Sequence, residues 1–238
     1  MPLFRINGHL HYFAHVPKCA GTSVESYLKD RFGQLGFVDM QYMQKPEPQR
    51  WTRSSPQHAD WQSVTRLVPP DWIRSSFGVV RHPVSRLRSD YEYQRLYERT
   101  VPEGMDINDW FRDWVDGREE TPFRYDNHLR PASELIPEHA TVFRLEDGLQ
   151  PIVAYLDELA GNQDGPRDLA HQNKSQGGDN YAAGQTPLSD ETLDLIARVY
   201  ARDFERFGYA CKDTIGDGPA RPLPSPKKPL LKRLFRRG

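Results

Sequence analysis

Two cysteines among 238 residues, Cys19 and Cys211, are too few and too far apart for a disulfide framework and match no zinc-ligand spacing. A reducing, cytoplasmic setting is therefore expected. Long apolar runs are also missing: nothing approaches the roughly 20 apolar residues of a membrane-spanning helix, and Met1 to Arg5 lack the basic start and apolar core of a secretion signal. Excess charge of one sign is absent too, with 32 Lys plus Arg against 33 Asp plus Glu, so no nucleic-acid partner is expected and any anion site has to be built locally. No Walker A loop occurs anywhere in the chain.

What is present fits one α/β domain over residues 1–212, long enough to bury its own core, followed by a Pro-rich basic tail over 213–238. In that tail Lys227, Lys228, Lys232, Arg233, Arg236 and Arg237 surround Leu230, Leu231, Leu234 and Phe235. It reads as disordered, solvated chain; the rival reading is a short helix from Pro229 that gives peripheral contact with anionic lipid at the inner membrane face.

Residues 10–16 are aromatic-rich and mostly apolar, bounded by Asn7-Gly8 and Pro17, which predicts a buried strand. Val24, Tyr27, Leu28 and Phe32 then recur at helical spacing, with Thr22 or Ser23 as N-cap and Gly33 as the stop. The same order recurs as a strand over 76–80 with a helix over 83–99, and as a strand over 141–145 with a helix over 151–159. Three strand-then-helix units imply a parallel sheet. A last helix opens at Ser189-Asp190-Glu191, buries Leu193, Ile196, Tyr200 and Phe204, and closes before Gly208. Segments 40–58 and 161–187 read as polar loops.

Two motifs sit where a predicted strand gives way to a helix. In Pro17-Lys18-Cys19-Ala20-Gly21-Thr22-Ser23, unpaired N–H groups at the helix start, a close-approach glycine, two hydroxyls and a lysine make a ready anion site. The plain alternative is a strand-to-helix turn with a surface lysine. It is not a phosphatase-type Cys-x5-Arg loop, because Glu25 stands six positions after Cys19. In Arg81-His82-Pro83-Val84-Ser85-Arg86-Leu87-Arg88-Ser89-Asp90-Tyr91, Arg81 would face the ligand crevice of an open sheet, and Ser85, Arg86 and Ser89 share a helix face. Arginine forks with a hydroxyl can grip a phosphate monoester. A basic amphipathic helix with solvated arginines is the alternative.

Taken together, the motifs resemble the sulfotransferases that use 3′-phosphoadenosine 5′-phosphosulfate (PAPS), in the carbohydrate, heparan sulfate 2-O-type branch and its bacterial relatives. That family carries Pro-Lys-x-x-Gly-Thr-Ser and Arg-x-Pro-x-x-Arg-x-x-Ser-x-Tyr, and both patterns are complete here. The resemblance implies a three-layer, P-loop-kinase-like α/β fold with a central parallel sheet. It further implies sulfuryl transfer from PAPS to an acceptor hydroxyl, on a carbohydrate, with no metal. Lys18, Gly21, Thr22 and Ser23 would hold the 5′-phosphosulfate, Arg81 and Ser89 the 3′-phosphate, and Asn173, Lys174 and Ser175 a late loop closing over the donor. A nucleotide kinase-like phosphotransferase and a noncatalytic anion- or glycan-binding module remain as rivals.

Sulfuryl transfer needs a base for the acceptor hydroxyl and positive charge at the leaving oxygen; Lys18 suits the second role. For the first, His58 in Gln57-His58-Ala59-Asp60-Trp61 resembles a family histidine lying ahead of the second motif. His128 is the rival, as base or acceptor contact, and a carboxylate is a third choice. His11 and His15 alternate along the first strand and read as packed or hydrogen-bonded, and His82 occupies a variable motif position. Loops 34–57 and 100–135 are expected to shape the acceptor pocket, where Trp51, Trp61, Trp110 and Trp114 would stack on sugar faces unless they fill the core.

Overall fold

The structure is a computed structural model that describes residues 2–169 and 187–210. Four strands form its sheet in the order β1-β2-β3-β4: β1 is Leu3–Ile6, β2 His9–Ala14, β3 Ile73–Val80 and β4 Thr141–Arg144. β1 and β2 pair antiparallel through Asn7 and Gly8, whose φ angles of 51° and 82° suit the primed turns whose twist matches that of a hairpin. This edge strand is additional to the predicted ones, so the sheet is mixed where the sequence predicts an all-parallel one. β2, β3 and β4 do pair parallel, with Phe13 opposite Phe77 and Ala14 opposite Gly78. β2 ends at Ala14, short of the expected residue 16, because the chain turns away at Pro17 into the left-handed backbone of Lys18.

α1, Gly21–Phe32, stops at Gly33, which takes the positive φ of 88° expected of a helix-ending glycine. α2, Trp61–Leu67, is capped by the Asp60 carboxylate, which accepts from the N–H of Ser63. α3 runs over Pro83–Tyr93 with proline in its first turn, and a π-helical turn, Gln94–Glu98, carries it to the expected end before Arg99 turns left-handed. α4, Ile107–Gly117, falls in a stretch expected to be loop; Asp106 caps it and Trp110, Phe111 and Trp114 form its buried face. α5 is Ala132–Leu135 and α6 Gln150–Ala160. The predicted last helix is two, α7 Asp190–Val199 and α8 Ala201–Phe207, broken at Tyr200.

Burial divides into two cores. One packs α1 and α6 on the sheet through Phe13, Phe77, Leu28, Ile152 and Leu156. The other joins α3, α4, α7 and α8 through Leu87, Trp110, Phe111, Ile196 and Phe204. Trp110 and Trp114 are buried there, which removes them from the expected sugar platforms; Trp61 stacks on Tyr12, and Trp51 alone of the four is largely exposed. Arg86, expected on a solvated or ligand-facing helix face, is instead buried, and it donates to the carbonyls of His128 and Arg130 at 2.6 and 2.5 Å. Its guanidinium thus ties α3 to the segment that carries His128.

Candidate active site

Because β2 and β3 are parallel neighbours, the segments leaving them emerge side by side at the carboxyl edge of the sheet, where open α/β sheets bind ligands. Behind β2 the backbone is left-handed at Lys18 (φ 63°) and Ala20 (φ 62°), and α1 begins at Gly21 with Ala20 as its N-cap and no side-chain cap. The expected Thr22 or Ser23 cap is thereby corrected: the left-handed turn starts the helix two or three residues sooner, and Ala20 at the cap position offers no side-chain acceptor to the N–H groups of the first turn. Thr22 is exposed and Ser23 buried. Gly21 lies so close to His15 that a Cβ there would stand 1.9 Å from His15 Nε2. Cys19 is buried inside the loop, and burial, partly opposed by Arg86 and Arg81, pushes its thiol up to about 12, so it is neutral.

Lys18 Nζ stands 3.9 Å from the centroid of the Tyr93 ring. Burial lowers its pKa; Asp90 works against that and the nearby charge of Arg81 adds to it. Arg81 directly follows β3 and Ser89 lies on α3, both half-buried. The two sequence motifs thus meet across one strip of the sheet edge.

Beside that strip lies a row of three histidines, each held at Nδ1 by a carboxylate. His15 bonds Glu25 at 2.5 Å, His58 bonds Asp126 at 2.7 Å, and His128 bonds Asp90 at 2.6 Å. Each carboxylate accepts the Nδ1–H, and on a neutral ring such as that of His58 this leaves the lone pair on Nε2. The rings stand edge to face, His15 to His58 with centroids 4.7 Å apart and His58 to His128 5.0 Å apart, and Tyr93 stacks on His128 at 5.4 Å. Ser55 steadies Asp126 through its N–H at 2.5 Å and its hydroxyl at 2.7 Å, and Asn127 donates to the His58 carbonyl at 2.9 Å. Tyr125, Asp126 and Asn127 are all left-handed, with φ of 56°, 54° and 62°. Non-glycine residues adopt that backbone at a cost of roughly 1–3 kcal/mol each, the kind of strain that collects at functional sites.

Burial pulls the pKa of His58 down to about 4, against Asp126, which raises it; His15 and His128 add to the fall. Burial works against the Asp126 carboxylate as well, but the charge and hydrogen bond of His58, the charge of His128 and the Ser55 donor outweigh it and hold its pKa below the usual range. At neutral pH the arrangement is a neutral imidazole backed by an ionised carboxylate. His58, Asp126 and His128 also form the group of potential metal ligands among the described residues, with ligand atoms within 4.8 Å of one another. Both Nδ1 atoms and the Asp126 oxygens are already engaged in hydrogen bonds, so this donor set is arranged for orienting imidazoles.

His11 and His15 are held as expected of packed or hydrogen-bonded residues, His11 through Nδ1 to Ser75 Oγ at 2.8 Å, while the His82 ring caps α3 by accepting from Val84 N–H. The three orienting carboxylates and Tyr93 are parts of the candidate site that the sequence motifs do not reveal. Glu25 carries a signal, a charge beside Val24 and Leu28 on the apolar face of α1; Asp90 and Asp126 carry none, since their partners are distant in sequence. Asn173, Lys174, Ser175, Cys211 and the basic tail lie outside the described residues.

An anion-receiving helix start beside a neutral, carboxylate-backed imidazole is what a transferase working on an anionic donor requires. The chain belongs to the sulfotransferase family, whose family model matches residues 4–210, and membership implies an enzyme that transfers a sulfuryl group. No curated protein and no solved structure matches the chain.

Proposed function

We propose that the protein transfers the sulfuryl group of PAPS to a hydroxyl on a carbohydrate, within the three-layer, P-loop-kinase-like architecture that the motifs resemble. The observation that carries this reading is the meeting of the uncapped α1 start, Lys18 and Arg81 with the His58–Asp126 pair. In the reaction an acceptor oxygen attacks sulfur and gives its proton to His58 Nε2. The sulfur–oxygen bond to the 5′-phosphate breaks, and its electron pair leaves with adenosine 3′,5′-bisphosphate. Lys18 meets the charge that grows on the leaving oxygen, and Asp126 stabilises the imidazolium. Thr22, Ser23 and the Gly21 backbone hold the 5′ end, Arg81 and Ser89 the 3′-phosphate. His128, beside His58, faces the acceptor, and exposed Trp51 offers a sugar-stacking face.

A panel of glycans incubated with labelled PAPS tests the reading. At least one should become labelled, and His58→Ala should lower the rate about 10²–10⁴-fold while bisphosphate binding persists. Arg81→Ala should chiefly weaken that binding and Lys18→Ala chiefly slow turnover. A wild-type protein that binds no bisphosphate in a calorimeter would refute the donor assignment.

A further inference from the structure

Beneath the donor loop lies a buried histidine–carboxylate pair that the reaction just described does not use. His15 follows the last residue of β2, and Glu25 sits in the second turn of α1 among the core residues Val24 and Leu28. Their side chains are only 9% and 8% exposed. A buried pair of this kind is seldom the most stable filling for its space, since apolar residues of similar volume often serve as well or better. Its contacts suggest what it does instead. One edge of the His15 ring abuts Gly21 in the donor loop, a face stacks on Phe13 with centroids 5.8 Å apart, and the ring stands at 89° to His58.

We propose that His15, oriented by Glu25, is a positioning residue for the transfer step, holding the glycine of the donor loop and the ring of the base in fixed relation to each other. The proposal rests on the reading of the loop as donor site and of His58 as base. Asp126 and Ser55 both meet His58 at Nδ1, at 2.7 and 3.2 Å, so these hydrogen bonds fix one corner of the ring and packing must set its tilt. His128 and His15 each pack edge to face against that ring and so limit its tilt. Because the same His15 ring is the seat of Gly21, a shift of the loop and a shift of the base are coupled through it. Misplacement of reacting groups by about 1 Å can cost 10²-fold in rate, so the coupling bears on catalysis directly. Glu25 can hold the ring in this way because its side-chain oxygen meets Nδ1 at 2.5 Å. Burial raises its pKa, but the charge and hydrogen bond of His15 and the charge of His58 outweigh burial.

The test compares two variants with the full-length wild type. In the double variant His15→Phe/Glu25→Leu the pair becomes apolar at similar volume, which should leave the melting temperature unchanged or higher. Glu25→Gln keeps an oxygen that accepts from Nδ1–H. Turnover is read as bisphosphate release from PAPS with the best acceptor of the panel or with water, and binding by calorimetry with adenosine 3′,5′-bisphosphate. The double variant should lose about 10–100-fold in turnover and less than about fivefold in affinity, while Glu25→Gln stays within about fivefold of wild type in both. In nitrogen NMR spectra of the imidazoles, the His58 signal, assigned by its loss in His58→Ala, should move on bisphosphate binding in wild type and not in the double variant. A double variant with wild-type turnover, or with an unchanged His58 response, overturns the proposal while leaving the donor reading intact. If wild type binds no bisphosphate, the donor reading fails and takes the proposal with it.

Discussion

At Gly21 the constraint is steric: any Cβ would overlap the His15 ring, which is itself held by Glu25 and cannot easily give way. Gly21→Ala should therefore lower stability by about 1–3 kcal/mol, as overpacking does, and weaken bisphosphate binding more than tenfold. Adding His15→Ala should return most of the melting temperature without restoring turnover; thermal denaturation and calorimetry check both. The base offers a second prediction. In its proposed role His58 would act as the neutral imidazole, and burial lowers its pKa to about 4, so kcat/KM should be level from neutrality downward and fall only as pH drops through about 4. Asp126→Asn takes away the charge that supports the imidazolium and the acceptor that fixes the tautomer, so kcat should drop by about 10²-fold or more, with bisphosphate affinity unchanged. An acid limb near 6.5, the ordinary histidine value, would mean that another group supplies the base.

Elements whose ends carry local signals are legible in the sequence. Pro83 at the start of α3, Ser189 capping α7 and Gly33 ending α1 each act within a turn of the residue that reveals them, and the structure uses them so. β1 escapes such a reading although Asn7-Gly8 is a hairpin signal, because four residues are too short for alternation to stand out. The loop ahead of α1 and both candidate histidines stand out as motifs, whereas the carboxylates that orient the histidines depend on tertiary approach: Asp126 reaches His58 and Asp90 reaches His128 across long stretches of chain. The same holds for Asp203 of α8, a buried carboxylate that accepts the N–H groups of Ala132 and Ser133 at 2.8 Å each and so caps α5 from another helix. Arg86 stands 3.9 Å from it. Asp203→Ala should cost about 3–5 kcal/mol, because it strands both N–H groups and leaves Arg86 without its counter-charge, and Asp203→Asn should cost less. Chemical denaturation of the two variants measures the difference; equal losses would show that the charge contributes nothing.

The whole molecule closes around two buried histidines that both stay neutral in the fold, and this sets how it responds to acid. His11 on β2 bonds Ser75 on β3 and packs against Phe4 on β1, so it belongs to the sheet, while His58 belongs to the site. Burial is the main cause that brings each down to about 4 from 6.5, with the charges of His9 and Arg74 adding to the shift at His11. An unfolded chain takes up protons at both positions as pH falls through about 6.5, whereas the folded chain does so only near 4. Between those values the unfolded state binds more protons, so stability must fall with falling pH, by up to about 3 kcal/mol for each histidine. The depressed carboxylates act elsewhere: Glu25 and Asp157, the latter at about 2, contribute stability that is present above their ordinary values and is lost only at lower pH. The window from about 6.5 downward is thus shared by these two histidines and His139, whose pKa burial also lowers, with the charge of Arg206 adding to the shift. His11→Phe keeps an aromatic ring against Phe4 and removes one of these titrations, so its melting temperature should decline less steeply than that of wild type between about pH 6.5 and 4.5. Parallel declines for the two proteins would show that His11 takes up its proton without unfolding and does not govern acid stability.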